Sequence, residues 1–184
     1  MPEEEPEPEL SEAEASELAR RIEAGEDGIA VPAELLVEPE ERRAPPPQNL
    51  YARILRMKIT EKLKLALRGN RDARMILVRD TNKLLRRFVL LNPRIGEDEV
   101  IAVTRNKSAD DELLRMITER REWMRNYQVR LGVATNPKAR LPVALKQVGT
   151  LDERDLRLIA KSRNVPAAIA AQARRILLTT KAPK

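Results

Sequence analysis

Nine side chains have the types and spacing for non-covalent recognition. Arg87, Arg120, Arg121, Arg125 and Arg175 offer guanidinium forks, which match carboxylates and phosphates in geometry. Asn126, Gln128 and Gln172 add neutral donors and acceptors beside them. Trp123 sits among the arginines, and Trp and Arg dominate the energetics of protein interfaces. The dense run Arg115, Arg120, Arg121, Arg125 and Arg130, with Trp123 and Tyr127 inside it, is the best single patch. Packing competes with recognition for Trp123, which also fits as a residue closing a junction between helices. Covalent chemistry has little to work with. The chain lacks Cys and His, so thiolate zinc sites, disulfides and the commonest general base are excluded. No catalytic residue, cofactor or metal ligand is therefore assigned, and the chain is expected not to be an enzyme.

These residues ride on a repeat. Arg86, Arg130 and Arg174 are spaced 44 residues apart, in Leu85-Arg86-Arg87-Phe88-Val89, Val129-Arg130-Leu131-Gly132-Val133 and Ala173-Arg174-Arg175-Ile176-Leu177. Asn92-Pro93 and Asn136-Pro137 follow the first two copies at one offset, and Asn82 and Asn126 also repeat at 44. A fixed period in this range marks stacked helical units. From Leu50 to Leu178 apolar residues recur at three and four, Gly is sparse and nothing alternates with period two. The pattern predicts nine helices, over 53–68, 71–79, 82–91, 96–105, 110–119, 125–135, 141–149, 152–162 and 166–178. Turn residues mark the breaks, and Asp110 and Asp152 stand at N-cap positions. Leu85, Val89, Val129, Val133, Ile159, Ile176 and Leu177 are the expected core.

The segment Val129-Arg130 through Asn136-Pro137 resembles the second-helix signature of HEAT-like repeats, in the leucine-rich-repeat-variant form. Leu85-Arg86 through Asn92-Pro93 is a second match, and Ala173-Arg174 through Leu178 a degenerate third. The three-helix grouping is also similar to armadillo repeats. The resemblance implies an all-α fold, a right-handed α-solenoid of about three three-helix units. It also implies a surface that binds another macromolecule, and a structural role for Arg86, Arg130 and Arg174. In HEAT-like families the matching Arg pairs with an acid near the preceding turn. Asp80 and Glu122 are placed for that beside Arg86 and Arg130.

Charge divides the chain. Residues 1–48 carry 15 acidic and 4 basic side chains, and residues 49–184 carry 14 and 31. The Pro- and Glu-rich start cannot bury a core, so residues 1–48 are expected to be a disordered acidic tail. Within it, Ser11 to Ala24 reads as a short helix stopped by Gly25. The apolar cluster from Ile29 to Val37 reads either as linker or as a docking motif for a partner or for the protein's own groove. Residues 49–178 are expected as the repeat domain and 179–184 as a disordered end. No apolar run reaches membrane-spanning length, and the acidic start is unlike a signal peptide, so a cytoplasmic location is expected. A protein partner is the leading expectation for this surface. Nucleic acid held by the basic face, with the acidic tail as competitor, is the second.

Overall fold

The computed structural model describes residues 10–38 and 48–181, and these are helical throughout, with no strand among them. Two compact units divide at Ile95, the first covering Met1–Ile95 and the second Gly96–Lys184.

The first unit contains α1 (Glu12–Ala24), a single 3-10 turn (Ala33–Leu35), α2 (Gln48–Leu55), α3 (Ile59–Arg68), α4 (Arg71–Leu77) and α5 (Lys83–Leu91). The start of α1 is fixed by a capping box: the Ser11 amide donates to Glu14 at 2.9 Å and the Glu14 amide donates back to Ser11 Oγ. Gly25 ends the helix in the left-handed conformation (φ 77°), and its N–H closes on the Arg21 and Ile22 carbonyls. Ala15, Ala19 and Ile22 lie at i, i+4 and i+7 and are buried, as is Leu35. They share one core with Leu63, Leu65, Leu77 and Leu85.

This corrects the expectation of disorder for residues 10–38. Small apolar groups on one face of α1 and in the 29–37 cluster find helices to pack on, and the carboxylates between them find bases. The 29–37 cluster is thus a docking motif for the protein's own helices: the Asn70 amide donates to Leu35 O at 2.7 Å, and its side chain donates to the Glu34 and Val37 carbonyls. Residues 1–9 and 39–47 lie outside the described residues.

Within the expected helix 53–68 the backbone turns at residues 56–58 and restarts. The Lys58 amide donates to Glu61 Oε2 at 2.8 Å, which supplies a new helix start without Gly or Pro.

The second unit contains α6 (Glu97–Arg105), α7 (Asp111–Glu119), α8 (Arg121–Arg125), α9 (Tyr127–Thr135), α10 (Leu141–Val148), α11 (Glu153–Lys161) and α12 (Ala167–Lys181). Asp110 and Asp152 occupy the N-cap positions of α7 and α11. The short α8 was not expected; Asn126 separates it from α9 and caps the latter by accepting from the Gln128 amide at 2.8 Å. Asn82, 44 residues earlier, caps α5 in the same way through the Leu84 amide. Helix α12 runs past the expected end at 178 to Lys181, and residues 182–184 lie outside the described set.

Leu85, Val89, Val129, Val133 and Ile159 are buried as expected, whereas Ile176 and Leu177 are half-buried against their cluster. Helix α3 packs on α5, α6 on α9 and α10 on α12. One glycine tightens the α6–α9 pair. A Cβ on Gly132 would lie 2.1 Å from Thr104 Oγ1, so only Gly lets the two helices approach this closely.

Candidate interaction surfaces

Two of the repeated arginines, Arg130 and Arg174, hold helix ends. Arg130 donates from one guanidinium nitrogen to Met124 O at 3.1 Å and Arg125 O at 2.7 Å, the last carbonyls of α8, and its guanidinium lies 5.6 Å from the Tyr127 ring centre. Arg174 reaches the Ala160 carbonyl near the end of α11, at 3.4 Å. The partners are carbonyls left over at a helix C-terminus, where a cation is favoured. That corrects the expected tie between Arg130 and Glu122, which stays exposed. Arg86 lies half-buried on α5, while Asp80 is buried and 3.6 Å from Lys62.

The expected patch separates into a packed part and a free part. Trp123 is only 8% exposed and is therefore a packing residue, not an exposed anchor. Arg120 lies over its ring, 4.4 Å from the centre. Asn126 and Gln128 are engaged by α6: Asn126 donates to Glu97 at 2.7 Å, and Gln128 accepts from Arg105 at 2.6 Å. Arg115 pairs with Glu119 four residues on. Arg121 and Arg125 are exposed, and neither forms an ion pair among the described residues, although exposed Glu122 lies on the same short helix. Arg175 is exposed and Gln172 half-buried on α12. Arg87 does not belong with this group, because in the first unit it pairs with Glu12 of α1.

The first unit neutralises itself. Asp27 pairs with Lys64 at 2.7 Å, Glu34 with Arg53 at 2.6 Å, and Glu38 with Arg74 at 2.7 Å and Arg94 at 3.8 Å. Arg74 is 2% exposed, so Glu38 is the counter-charge of a buried guanidinium. Hydrogen bonding from Lys64 holds the Asp27 carboxyl below its ordinary range, against burial, which pushes it up. Burial also works against the Glu38 charge, but the Arg74 guanidinium and the Arg71 amide outweigh it and lower its pKa. Arg68 caps α1 by donating to the Glu23 carbonyl at 2.6 Å. None of Lys64, Arg68, Arg74 or Arg94 stood out in the sequence, because these partners lie 25 or more residues away.

The basic excess is accordingly on the second unit. Residues 1–95 carry 17 basic and 18 acidic side chains, and residues 96–184 carry 18 and 11. Two clefts open on this unit. One, of about 490 Å³, lies between α7 and α10 and mixes Asp111 and Glu119 with Arg115, Arg140 and Lys146. The other, of about 370 Å³, is formed by α6, α9 and α11 and combines Leu131, Leu158 and Val165 with Arg105 and Lys107. Sequence reasoning missed the latter, although Leu158 carried a signal: it falls outside the stripe set by Leu156 and Ile159. Tyr127 closes one side of α9 on α11, donating to Asp155 and accepting from the Asp152 amide at 3.2 Å. Burial and the Asp155 carboxylate together raise its pKa.

Among the described residues no cluster of acids could hold a metal ion, and no helix is long and apolar enough to cross a membrane. Neither a protein family, nor a curated protein, nor a solved structure matches the chain.

Proposed function

We propose that the chain is a non-enzymatic interaction module, an α-solenoid scaffold whose second unit binds a protein partner in the cytoplasm. The observation that carries this reading is the exposed pair Arg121 and Arg125, neither in an ion pair among the described residues, in a unit with seven surplus positive charges. A folded surface that leaves its guanidinium forks open is prepared for carboxylates from outside. Within the described part of the acidic N-terminal segment, Glu12, Asp27, Glu34 and Glu38 pair with bases of the first unit. The HEAT-like reading draws support from the recurring helix pairs and from the identical capping by Asn82 and Asn126.

The same excess of positive charge supports nucleic-acid binding as the second reading. A photoreactive side chain placed at position 121 of the full-length chain, irradiated in cells, separates the two. Protease-sensitive adducts of one defined mass support a protein partner. Adducts removed only by nuclease would overturn it in favour of the second reading.

A further inference from the structure

We infer that the cleft of α6, α9 and α11 seats an acidic segment of the protein partner, one carrying an apolar side chain between carboxylates. This rests on the protein-binding reading above and names the chemistry of the ligand. The cleft has an apolar wall and a cationic rim. Leu131 and Val165 are half-buried in it, and Leu158 is 62% exposed on its lip. Lys107 is exposed at the end of α6, and Arg105 has only the neutral Gln128 as its partner, so both charges remain unbalanced. A volume of about 370 Å³ lies within the range of small-ligand and side-chain sites, about 300–1,000 Å³.

Two observations select the occupant. Nucleic acid offers phosphates for the rim but nothing for Leu158, and the cleft has no aromatic on which a base stacks. Asp155, held by Tyr127, also lines it and disfavours an anion on its own side, so the segment's carboxylates face Arg105 and Lys107. The second observation is the protein's own solution in its first unit. There Leu35 inserts between helices while Asp27, Glu34 and Glu38 pair with Lys64, Arg53 and Arg74. A helical unit of this chain thus holds an acidic, leucine-bearing segment by the very combination that the cleft leaves open.

The test uses full-length protein and a fluorescein-labelled synthetic peptide copying residues 26–38, which has four acids, no base and five large aliphatic side chains. The first unit already holds its own copy of this segment, so binding by anisotropy reads the open cleft. The expected result is saturable binding that weakens at least tenfold in Leu158→Asp and in Lys107→Glu, with circular dichroism unchanged. The peptide with its carboxylates replaced by amides also binds at least tenfold more weakly. Absence of binding overturns the inference. So does binding that both variants leave unchanged, because the peptide has then exchanged into the first unit. A mixed-sequence single-stranded DNA that displaces the peptide and binds Leu158→Asp as well as wild type overturns it too. In each failure, protein adducts from position 121 would leave the protein-binding reading intact, and nuclease-sensitive adducts would remove that reading as well.

Discussion

Asn136 donates its side-chain amide to the Thr104 carbonyl at 2.7 Å, stapling the end of α9 to the end of α6. The same side chain reaches the Asn106 carbonyl at 3.0 Å and accepts from the Lys138 amide at 2.9 Å. Asn92 does the equivalent in its own unit, donating to Ala66 O and Gly69 O and accepting from the Arg94 amide. Both are almost completely buried. Each Asn-Pro pair is therefore a cap for an earlier helix, α3 or α6, as well as a turn. Removing the amide leaves buried carbonyls without a donor, which costs about 1–3 kcal/mol. Asn136→Ala and Asn92→Ala are each expected to lose that much in denaturant unfolding. Asn136→Asp keeps the acceptor but not the donor, so it should lose stability as well; wild-type stability in that variant would show that the staple carries no weight.

Gly132→Ala gives the opposite of what helix propensity predicts. In an exposed helix interior Ala is better than Gly by about 1 kcal/mol. Here the added Cβ meets Thr104, 2.1 Å from Oγ1 and 2.7 Å from Cβ, so α6 and α9 must part. Overpacking of this kind costs about 1–3 kcal/mol. A lower melting temperature for Gly132→Ala, partly restored by Thr104→Ala, is expected. A rise in melting temperature would place the two helices further apart than they are described here.

The N-terminal segment should detach in acid. Asp27 and Glu38 have folded pKa values below their ordinary 3.8 and 4.5, so their contribution is complete above those ordinary values. It is lost as pH falls through the lowered folded values. Limited proteolysis at pH 7 should spare residues 10–38, and at pH 3 should cut them while the second unit remains protected. Glu38→Gln should raise the pH at which cutting begins, because Arg74 is buried and loses its charged partner. Equal cutting at both pH values would mean that the ion pairs do not hold the segment.

Tyr127→Phe removes the donor to Asp155 and the acceptor for the Asp152 amide. A loss of about 1 kcal/mol is expected, from two bonds at a partly exposed site. Urea unfolding followed by Trp123 fluorescence measures it.

Much of the helical fold was legible because it is written in local patterns. Apolar spacing located the expected helices, and the Asn residues at interval 44 marked caps that act alike in both units. What escaped has physical reasons. A turn at 56–58 made by one Glu–amide bond, and a five-residue α8, leave no Gly or Pro behind. Residues 10–38 looked disordered because composition averages over the segment, whereas Ile22 and Leu35 anchor it singly and its carboxylates are balanced by bases up to 75 residues away in sequence, as in Lys64 with Asp27 and Arg87 with Glu12. The candidate surface was legible only as charge. Which arginines are free depends on what each touches: Arg130 is spent on helix-end carbonyls, Arg87 on Glu12, and Arg121 and Arg125 on neither.

One paired measurement tests this division between free and engaged arginines. Thermal melting and photo-crosslinking from position 175 are recorded for Arg121→Glu/Arg125→Glu and for Arg130→Ala in the full-length chain. Exposed charges contribute about 0–1 kcal/mol to stability, so the double variant should melt within about 2–4 °C of wild type and lose its protein adduct. Arg130→Ala, which strips two carbonyl bonds from the end of α8, should melt lower and, at temperatures where it is folded, keep the adduct. A double variant that unfolds readily while Arg130→Ala keeps its stability and loses the adduct would contradict the account, with structural and partner-binding arginines exchanged.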